Sequence, residues 1–447
     1  MVEDMSRRTV LQAAGAGLAM AAASPLLAVP GGSASGTMPR KLRSDFLWGA
    51  ATAGHQVEGG NVNADSWVME HLSPSAFAEP SGDACDSWNR WREDIDLVKR
   101  MGLNTYRFGI EWSRIEPERG EWSRAALAHY RAMLDYCAAL GLRAFVTFSH
   151  FTAPRWFAGL GGWEKAANVE HFVRFCETAA RALGPNYAHA LTFNEPNLAA
   201  QLSWQPEFRQ TMAYFSAANR MAANRIGSAR FSATPTFDIA RALPNQIAAH
   251  HRAYDAIKAI RPDLQLGLSL TLADEQAAPG DSARDHKIAE VYQPWFEAVS
   301  RDDFVGVQTY GRAVVGASLD LPPPPGAELT QTGMEFWPEA LGATVKWAAK
   351  ETGRPIIVTE NGVATADDTR RITYIDRALA GLARAMDEGA DVQGYIHWSL
   401  LDNFEWNRAY TAQFGLASVD RQTFARQLKP SGLHLGGYAR ENKIPSG

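Results

Sequence analysis

The sequence contains little cysteine and no excess of basic charge, and both shortages narrow the possible functions. Cys85, Cys137 and Cys176 are its three cysteines, without a Cys-X-X-Cys pair or a histidine cluster at zinc spacing. We therefore expect no disulfide framework and no metal site, and the thiols should be buried. The formal net charge of −5 gives no indication of a nucleic-acid partner.

A long apolar run is also missing, because the stretch 13–28 is rich in Ala and Gly and short of the roughly 20 residues that span a bilayer. It follows residues 6–12, SRRTVLQ, which resemble a twin-arginine export signal. We expect residues 1–38 to be an export signal and linker recognised by the twin-arginine export machinery, with no stable membrane span. The mature protein would then be periplasmic or secreted. A disordered, Ala-rich leader is the alternative.

Apolar and aromatic residues, by contrast, are plentiful. Hydrophobic residues make up 46% of the 447, enough for a large core, and barrels of alternating strands and helices can reach this length as one domain. The 14 tryptophans either fill that core or offer flat faces for sugar rings. Composition does not separate these two uses, so the position of each tryptophan in a motif has to decide.

Eight short apolar or β-branched runs alternate with amphipathic stretches of helical period. Several runs are almost continuously apolar, as expected of parallel strands that are buried on both faces. This alternation predicts an α/β fold, a (β/α)8 TIM barrel forming a single domain over residues 39–447, with a closing helix after Asp420. The predicted strands are 46–54, 105–111, 143–150, 189–195, 265–272, 304–310, 355–360 and 392–400, and the predicted helices are 94–101, 124–140, 169–183, 246–260, 339–352 and 372–388.

Polar residues stand at the C-terminal ends of these strands, where such barrels carry their active sites. The longest loops on that face should follow strands one, four and six. The last of them, 312–335, contains four consecutive prolines and is either a surface insertion or a segment that shapes the site. The polar and aromatic side chains at the strand ends are Gln56, Glu111, His150, Asn194, Glu195, Tyr310, Glu360 and Trp398.

Two of these strand ends carry a glutamate in a short motif. Glu195 lies in Thr-Phe-Asn-Glu-Pro after strand four, and Glu360 lies in Val-Thr-Glu-Asn-Gly after strand seven. Retaining glycoside hydrolysis needs a proton donor and a nucleophilic carboxylate about 5–5.5 Å apart. Either motif alone could be a turn or a cap. Together, on strands that can face each other across a barrel mouth, they predict such a pair.

Longer motifs surround these residues, and with them the chain resembles glycoside hydrolase family 1 from about Phe46 to Gly437. The motifs are FLWGAATAGHQVEG at 46–59, YRFGIEWSRI at 106–115, and WSLLDNFEW at 398–406 followed by FGL at 414–416. The resemblance implies a retaining β-glycosidase, foremost a β-glucosidase, that acts on a small-molecule β-glycoside or oligosaccharide. It implies no metal or organic cofactor.

The resemblance also implies roles for individual residues. Glu360 matches the nucleophile, Glu195 the acid/base, and Asn194 the residue that hydrogen-bonds the sugar 2-hydroxyl. Arg107 and Tyr310 match the pair that orients the nucleophile. Arg107 should keep Glu360 ionised, and that charge should raise the pKa of Glu195. Gln56, His150, Glu405 and Trp406 match the groups that bind the outer hydroxyls of the non-reducing sugar, and Trp398 matches the platform beneath it.

Each assignment has a plainer alternative. Arg107 could be a structural ion-pair residue, His150 a hydrogen-bonded core histidine, and Trp398 part of the core. At the level of the whole protein, a transglycosidase would use the same two glutamates. A non-catalytic carbohydrate-binding barrel would need neither of them.

Some positions depart from the family pattern. Gln308 stands where the family commonly has Asn, Phe151 where it has Trp, and His55 where it often has Tyr. The phospho-sugar branch carries a Ser/Lys/Tyr clamp where this chain has Glu405 and Trp406. A carboxylate there would repel a 6-phosphate, so we expect activity on unphosphorylated glycosides.

Overall fold

A closed barrel of eight parallel strands forms the centre of the protein, as predicted. The computed structural model describes residues 40–446. Each strand pairs in parallel with its neighbours in chain order, and the last strand closes against the first. The strands are β1 Leu47–Thr52, β2 Thr105–Gly109, β3 Arg143–Ser149, β4 His189–Asn194, β5 Gln265–Thr271, β6 Phe304–Thr309, β7 Ile356–Asn361 and β8 Val392–Trp398.

A helix follows each strand, and together these helices surround the barrel. All six predicted helices are confirmed, and the helix after Asp420 is present. Three of them begin earlier than expected: the first at Ser87, the sixth at Asp368, and the fourth at Ile239, where Asp238 caps it and Pro244 lies inside the helix. The outer helices are α1 Ser87–Met101, α2 Arg124–Ala139, α3 Val169–Leu183, α4 Ile239–Ile260, α5 Gln293–Ala298, α6 Ala340–Thr352, α7 Asp368–Asp387 and α8 Pro430–Glu441.

Smaller elements lie in the connections. Within residues 40–446, none of the helices combines the length and apolarity required to cross a membrane. The predicted export signal and linker, residues 1–38, lie outside the described residues. One connection contains a long helix, Pro206–Arg225, of 20 residues. The short α-helices are Gly54–Val57, Asp65–Glu70, Trp112–Ile115, Arg155–Gly159, Leu198–Leu202 and Arg284–Val291, and the 3-10 helices are Gly162–Glu164, Ala166–Asn168, Val299–Arg301 and Trp406–Arg408. The short strands are Arg40–Lys41, Asp274–Ala277, Arg312–Val315, Asp320–Leu321, Ala417–Val419, Arg426–Leu428 and Lys443–Ile444.

The three cysteines are buried free thiols, as the sequence predicted. The loop after β6 is more than a surface insertion, since Arg312–Val315 joins Asp274–Ala277 and Asp320–Leu321 in a three-stranded sheet. Further along this loop, Thr332 accepts a hydrogen bond from Arg408 in the segment after β8. The loop therefore lies at the rim of the barrel face that carries the strand ends.

The barrel interior changes from apolar to polar toward the C-terminal ends of the strands. On β4 the buried Leu191 precedes Asn194, and on β7 the buried Ile357 precedes Glu360. The part of the barrel interior nearer the N-terminal ends of the strands is filled by these apolar side chains, which form a closely packed core without polar groups that need water. Polar side chains thus collect at one end of the barrel.

The last outer helix, α8, closes the structure against α1. Gly436 of α8 lies so close to the end of α1 that a Cβ atom built on it would stand 1.7 Å from the carbonyl oxygen of Met101. Arg440 donates a hydrogen bond to the same carbonyl at 2.7 Å. Beyond α8, Asn442 accepts a hydrogen bond from the indole of Trp48 on β1 at 3.1 Å. The chain end therefore supports the first barrel strand.

We predict that Gly436→Ala destabilises the protein, because the added methyl group must push α8 away from α1. The expected loss in free energy of unfolding is about 1–3 kcal/mol, typical of overpacking. Gly437→Ala is the matched control, since its Cβ would meet only a side-chain atom of Arg440 at 3.9 Å. Thermal unfolding followed by circular dichroism measures both. Equal midpoints for the two variants would contradict this account of the α1–α8 contact.

Candidate active site

Glu195 and Glu360 stand at the polar end of the barrel, and an irregularity in strand pairing precedes each of them. The β4–β5 register shifts between Leu191 and Asn194, and the β6–β7 register shifts between Val358 and Glu360. Such irregularities redirect side chains, and they are frequent beside active sites. Here each one adjusts the direction of the strand end that carries a glutamate.

Arg107 of β2 lies at the centre of the site and is 1% exposed. One guanidinium nitrogen donates to Glu360 Oε1 at 2.7 Å, and the other donates to Asn194 Oδ1 at 2.5 Å. Further bonds run to Thr147 Oγ1 at 3.1 Å and to the carbonyl of Thr359 at 3.0 Å. The arginine therefore joins β2, β3, β4 and β7, so it is a structural ion-pair residue and a contact of Glu360 at once.

Both carboxylate oxygens of Glu360 are held by donors. Arg107 binds Oε1, and the hydroxyl of Tyr310 donates to Oε2 at 2.5 Å. Burial raises the pKa of Glu360, while the charge of Arg107 and the hydrogen bond from Tyr310 oppose that rise. These donors fix the carboxylate in one orientation and favour its ionised form.

Glu195 is buried in a less favourable environment for charge. Burial raises its pKa well above the usual range, and the negative charge of Glu360 raises it further, with Glu405 adding a smaller effect. The charge of Arg107 opposes these effects without cancelling them. The backbone at Glu195 has a φ of 45°, an uncommon conformation for a side chain of this size. Donors thus oppose the rise in the pKa of Glu360, whereas the charge of Glu360 adds to the rise in the pKa of Glu195.

Gln56 and Glu405 form a second polar group at the same end of the barrel. The amide nitrogen of Gln56 donates to the carbonyl of Phe404 at 2.9 Å, to Asn403 Oδ1 at 3.1 Å and to Glu405 Oε2 at 3.3 Å. Its buried Oε1 has no partner among residues 40–446. Burial and the charge of Glu360 raise the pKa of Glu405 to about 8. Both side chains keep capacity for a polar ligand.

His150 and Trp398 pack against each other near these groups. Their rings stack with centroids 5.7 Å apart and planes inclined by 21°. Burial and the charge of Arg107 lower the pKa of His150 well below its usual range, so the imidazole is neutral and can donate at one nitrogen and accept at the other. The indole of Trp398 faces Glu405 and lowers the pKa of its carboxyl group. Trp398 is buried, yet it stacks on His150 and acts on Glu405, so it is more than apolar filling.

Trp406 lies between two residues at which the chain departs from the family pattern. Its ring stacks on His55 with centroids 5.8 Å apart and an interplanar angle of 4°, and it meets Phe151 edge-on at 5.4 Å. His55 hydrogen-bonds Asn61 at 3.2 Å and contacts the carboxylate of Glu70 at 3.5 Å. A buried polar network therefore supports the indole from behind.

The structure brings all the predicted site residues together at one end of the barrel. Each contacts another member directly or, for Glu195, acts on Glu360 through charge. Trp406 joins through its neighbour Glu405 in the chain. Glu111, also noted at a strand end, instead accepts bonds from buried groups around His55 and takes no part in this cluster. The connected side chains are Gln56, Arg107, His150, Asn194, Glu195, Tyr310, Glu360, Trp398, Glu405 and Trp406.

Sequence reasoning missed several residues that hold this cluster. Thr147 and Thr359 bond Arg107, and Asn403 bonds Gln56. Gln308 was noted as a departure only, although it bonds Asn194. The available signal was a polar residue within a buried strand. Thr147 lies opposite Gly109, which is two residues from Arg107 on the same face of β2, but this register exists only once the strands pair.

Metal ligation is not part of this arrangement. Within residues 40–446, no group of three or more His, Cys, Asp or Glu side chains could hold a metal ion. The carboxylates of the cluster are bonded to Arg107, Tyr310 and Gln56 instead.

Comparison with known proteins identifies the family and agrees with the barrel fold. The model of "Glycosyl hydrolase family 1" matches residues 38–313 and 317–444. Among solved structures, that of a β-glucosidase named 1317 is 46% identical, with a TM-score of 0.87, covering 88% of this chain and 98% of that one. The β-glycosidase BGL167 is 43% identical, with a TM-score of 0.86, covering 91% and 98%. β-Glucosidase A of Thermotoga maritima is 28% identical over 91% of this chain and 99% of its own length.

The family match spans nearly all the described residues, and the barrel has the architecture of these relatives. Its two glutamates are both present at the strand ends. The chain therefore belongs to glycosyl hydrolase family 1 and is a retaining β-glycosidase.

Proposed function

We propose that the protein releases terminal non-reducing β-D-glucosyl residues from unphosphorylated glycosides, with Glu360 as the nucleophile and Glu195 as the acid/base. One observation carries this assignment. Arg107 and Tyr310 hold both oxygens of Glu360, while Glu195 is buried beside that negative charge. Two carboxyl groups in such different environments suit the two roles of a double displacement.

In the first step Glu360 attacks the anomeric carbon, and the bond from that carbon to the leaving oxygen breaks. Glu195 gives its proton to the leaving oxygen, so that the aglycone departs as a neutral alcohol. The product is a glycosyl ester of Glu360. Tyr310 and Arg107 keep the attacking carboxylate in place until the bond forms.

In the second step Glu195 acts as a base. Ester formation removes the negative charge of Glu360, and with it one cause of the raised pKa of Glu195. Glu195 can then take a proton from water as the water oxygen attacks the anomeric carbon. The ester bond breaks, Glu360 regains its charge, and the sugar leaves with its original β configuration.

The proposed sugar preference rests on the outer polar group and on the relatives. Gln56, Glu405 and the neutral His150 supply donors and acceptors for sugar hydroxyls, and Trp398 supplies a flat face. β-Glucosidases recur among the similar proteins. Glu405 and Trp406 replace the Ser/Lys/Tyr clamp of the phospho-sugar branch, which supports unphosphorylated glucosides as substrates.

We also propose that the protein is exported through the twin-arginine pathway. The pair Arg7–Arg8 precedes an Ala- and Gly-rich apolar stretch, as in signals of this type. Three buried free thiols are consistent with transport of a protein that folds without disulfides.

Glu360→Gln should lower kcat for 4-nitrophenyl β-D-glucoside by about 10⁴-fold or more, because the amide cannot serve as the nucleophile. Glu195→Gln should cost about 10²–10⁴-fold with a poor leaving group and much less with 2,4-dinitrophenyl β-D-glucoside, whose leaving group needs no acid. Steady-state kinetics measures both. Glu388→Gln, an exposed site of the same chemistry, is the control. Full activity of Glu360→Gln would refute the assignment.

The pH dependence of kcat/KM should be bell-shaped. Activity rises as Glu360 loses its proton and falls at higher pH as Glu195 loses its own. Because burial and the charge of Glu360 raise the pKa of Glu195, the proton donor survives well above the pH at which an exposed glutamate ionises. The alkaline limb should disappear in Glu195→Gln assayed with 2,4-dinitrophenyl β-D-glucoside. An unchanged alkaline limb in that variant would assign it to another group.

The double substitution Arg7→Lys, Arg8→Lys should keep the protein in the cytoplasm of a bacterial host that has a twin-arginine pathway. The wild-type chain should be recovered from the periplasm or the medium. The variant should be retained because the substitution removes the arginine pair that the export machinery recognises. Cell fractionation with activity assays measures the distribution. Arg40→Lys is the control outside the predicted signal. Equal export of the double variant and the wild type would contradict the proposed route.

A further inference from the structure

Gln308 lies behind the site on β6, fully buried, with its amide pointing at Asn194. Its Nε2 donates to Asn194 Oδ1 at 2.8 Å and to Ser269 Oγ at 3.0 Å, with Thr359 Oγ1 at 3.3 Å. Oε1 of Gln308 has no partner among residues 40–446. The side chain therefore acts on its neighbours as a donor.

The orientation of both amides follows from Arg107. A guanidinium only donates, so the Asn194 atom that it contacts at 2.5 Å must be the oxygen. The Gln308 atom that faces the same oxygen must then be its NH2 group, since two amide oxygens would repel each other. Ser269 contributes a third, longer contact to Oδ1 at 3.4 Å. Two strong donors thus hold the oxygen of Asn194 toward the barrel wall.

The amide nitrogen of Asn194, unlike its oxygen, is not engaged by these side chains. Asn194 is 3% exposed, and its Nδ2 has no hydrogen-bond partner among the described residues. A buried amide nitrogen without a partner is costly unless a ligand or water satisfies it. Asn194 precedes Glu195 in the chain, so this free donor stands beside the reacting groups.

We propose that Gln308 is a positioning residue that holds the Asn194 amide with its NH2 group directed at the sugar 2-hydroxyl. The proposal rests on the proposed function, which places a glycoside between Glu195 and Glu360. Asn194 then offers the sugar only a donor, and the 2-hydroxyl accepts its hydrogen bond. Without Gln308, the Asn194 oxygen keeps Arg107 as its one strong donor, with the longer Ser269 contact beside it.

The effect of replacing Gln308 should therefore depend on the substrate, and this dependence distinguishes a positioning role from a structural one. If Gln308 acts through Asn194, its loss must matter for sugars that carry a 2-hydroxyl and hardly at all for 2-deoxy sugars. A residue that only maintains the fold would affect both substrates alike. Contacts at this hydroxyl strengthen in the transition state, so the effect belongs in kcat/KM.

The test compares 4-nitrophenyl β-D-glucoside with its 2-deoxy counterpart in Gln308→Met, which keeps the side-chain length and removes the donor. We expect kcat/KM to fall about 10–100-fold for the glucoside, in line with loss of a positioned donor, and less than about threefold for the 2-deoxy substrate. In an Asn194→Ala background, Gln308→Met should change the glucoside value by less than about threefold, because the residues act as a unit. Thr309→Val, a buried neighbour on β6 whose hydroxyl has no partner among the described residues, controls for strand packing.

Equal losses on both substrates would overturn the proposal, since they indicate a structural role. So would a full additional loss in the Asn194→Ala background, or no loss on the glucoside at all. The 2-deoxy rate serves as an internal measure of correct folding in each variant. If the wild-type protein turned over neither substrate, the proposed function itself would fail, which is a different result from a failure confined to Gln308.

Discussion

The ion pair between Arg107 and Glu360 is the interaction on which the site depends. Both side chains are almost completely buried, and their bond joins β2 to β7 across the interior of the barrel. A buried charge without its partner costs about 3–5 kcal/mol, so neither residue can change alone without penalty. Arg107 therefore makes Glu360 the carboxyl group at this end of the barrel whose negative charge is stabilised by a direct ion pair. The rest of the catalytic arrangement follows from that charge.

Three carboxyl groups stand at this site, and Arg107 bonds one of them. Glu360 receives its direct bond, whereas Glu195 and Glu405 have raised pKa values, in part because Glu360 is charged. In the proposed mechanism, this difference in electrostatic environment separates the nucleophile from the acid. It also explains how Glu195 can change role, because the charge that raises its pKa is consumed when Glu360 forms a bond to the sugar.

Much of this could be predicted from the sequence, because apolar runs mark buried parallel strands and motifs mark the strand ends. The eight strands and the two glutamates were found in this way. Helix α5 was missed because six residues give too little periodicity, and the start of α4 was misplaced because Pro244 resembles a helix breaker. Thr147 and Gln308 were not assigned supporting roles, since a polar strand residue gains its partner only from the closure of the barrel.

The central claim is that Glu360 forms a covalent bond to the sugar, and a slow substrate tests it most directly. A 2-deoxy-2-fluoro-β-D-glucosyl fluoride should inactivate the protein because the ester accumulates. The fluorine at carbon 2 slows both steps, but fluoride at the anomeric carbon is a good leaving group, so the first step remains faster than the second. Peptide mass spectrometry should then find one fluoroglucosyl group, on Glu360. Label on any other residue, or continued turnover without label, would contradict the account.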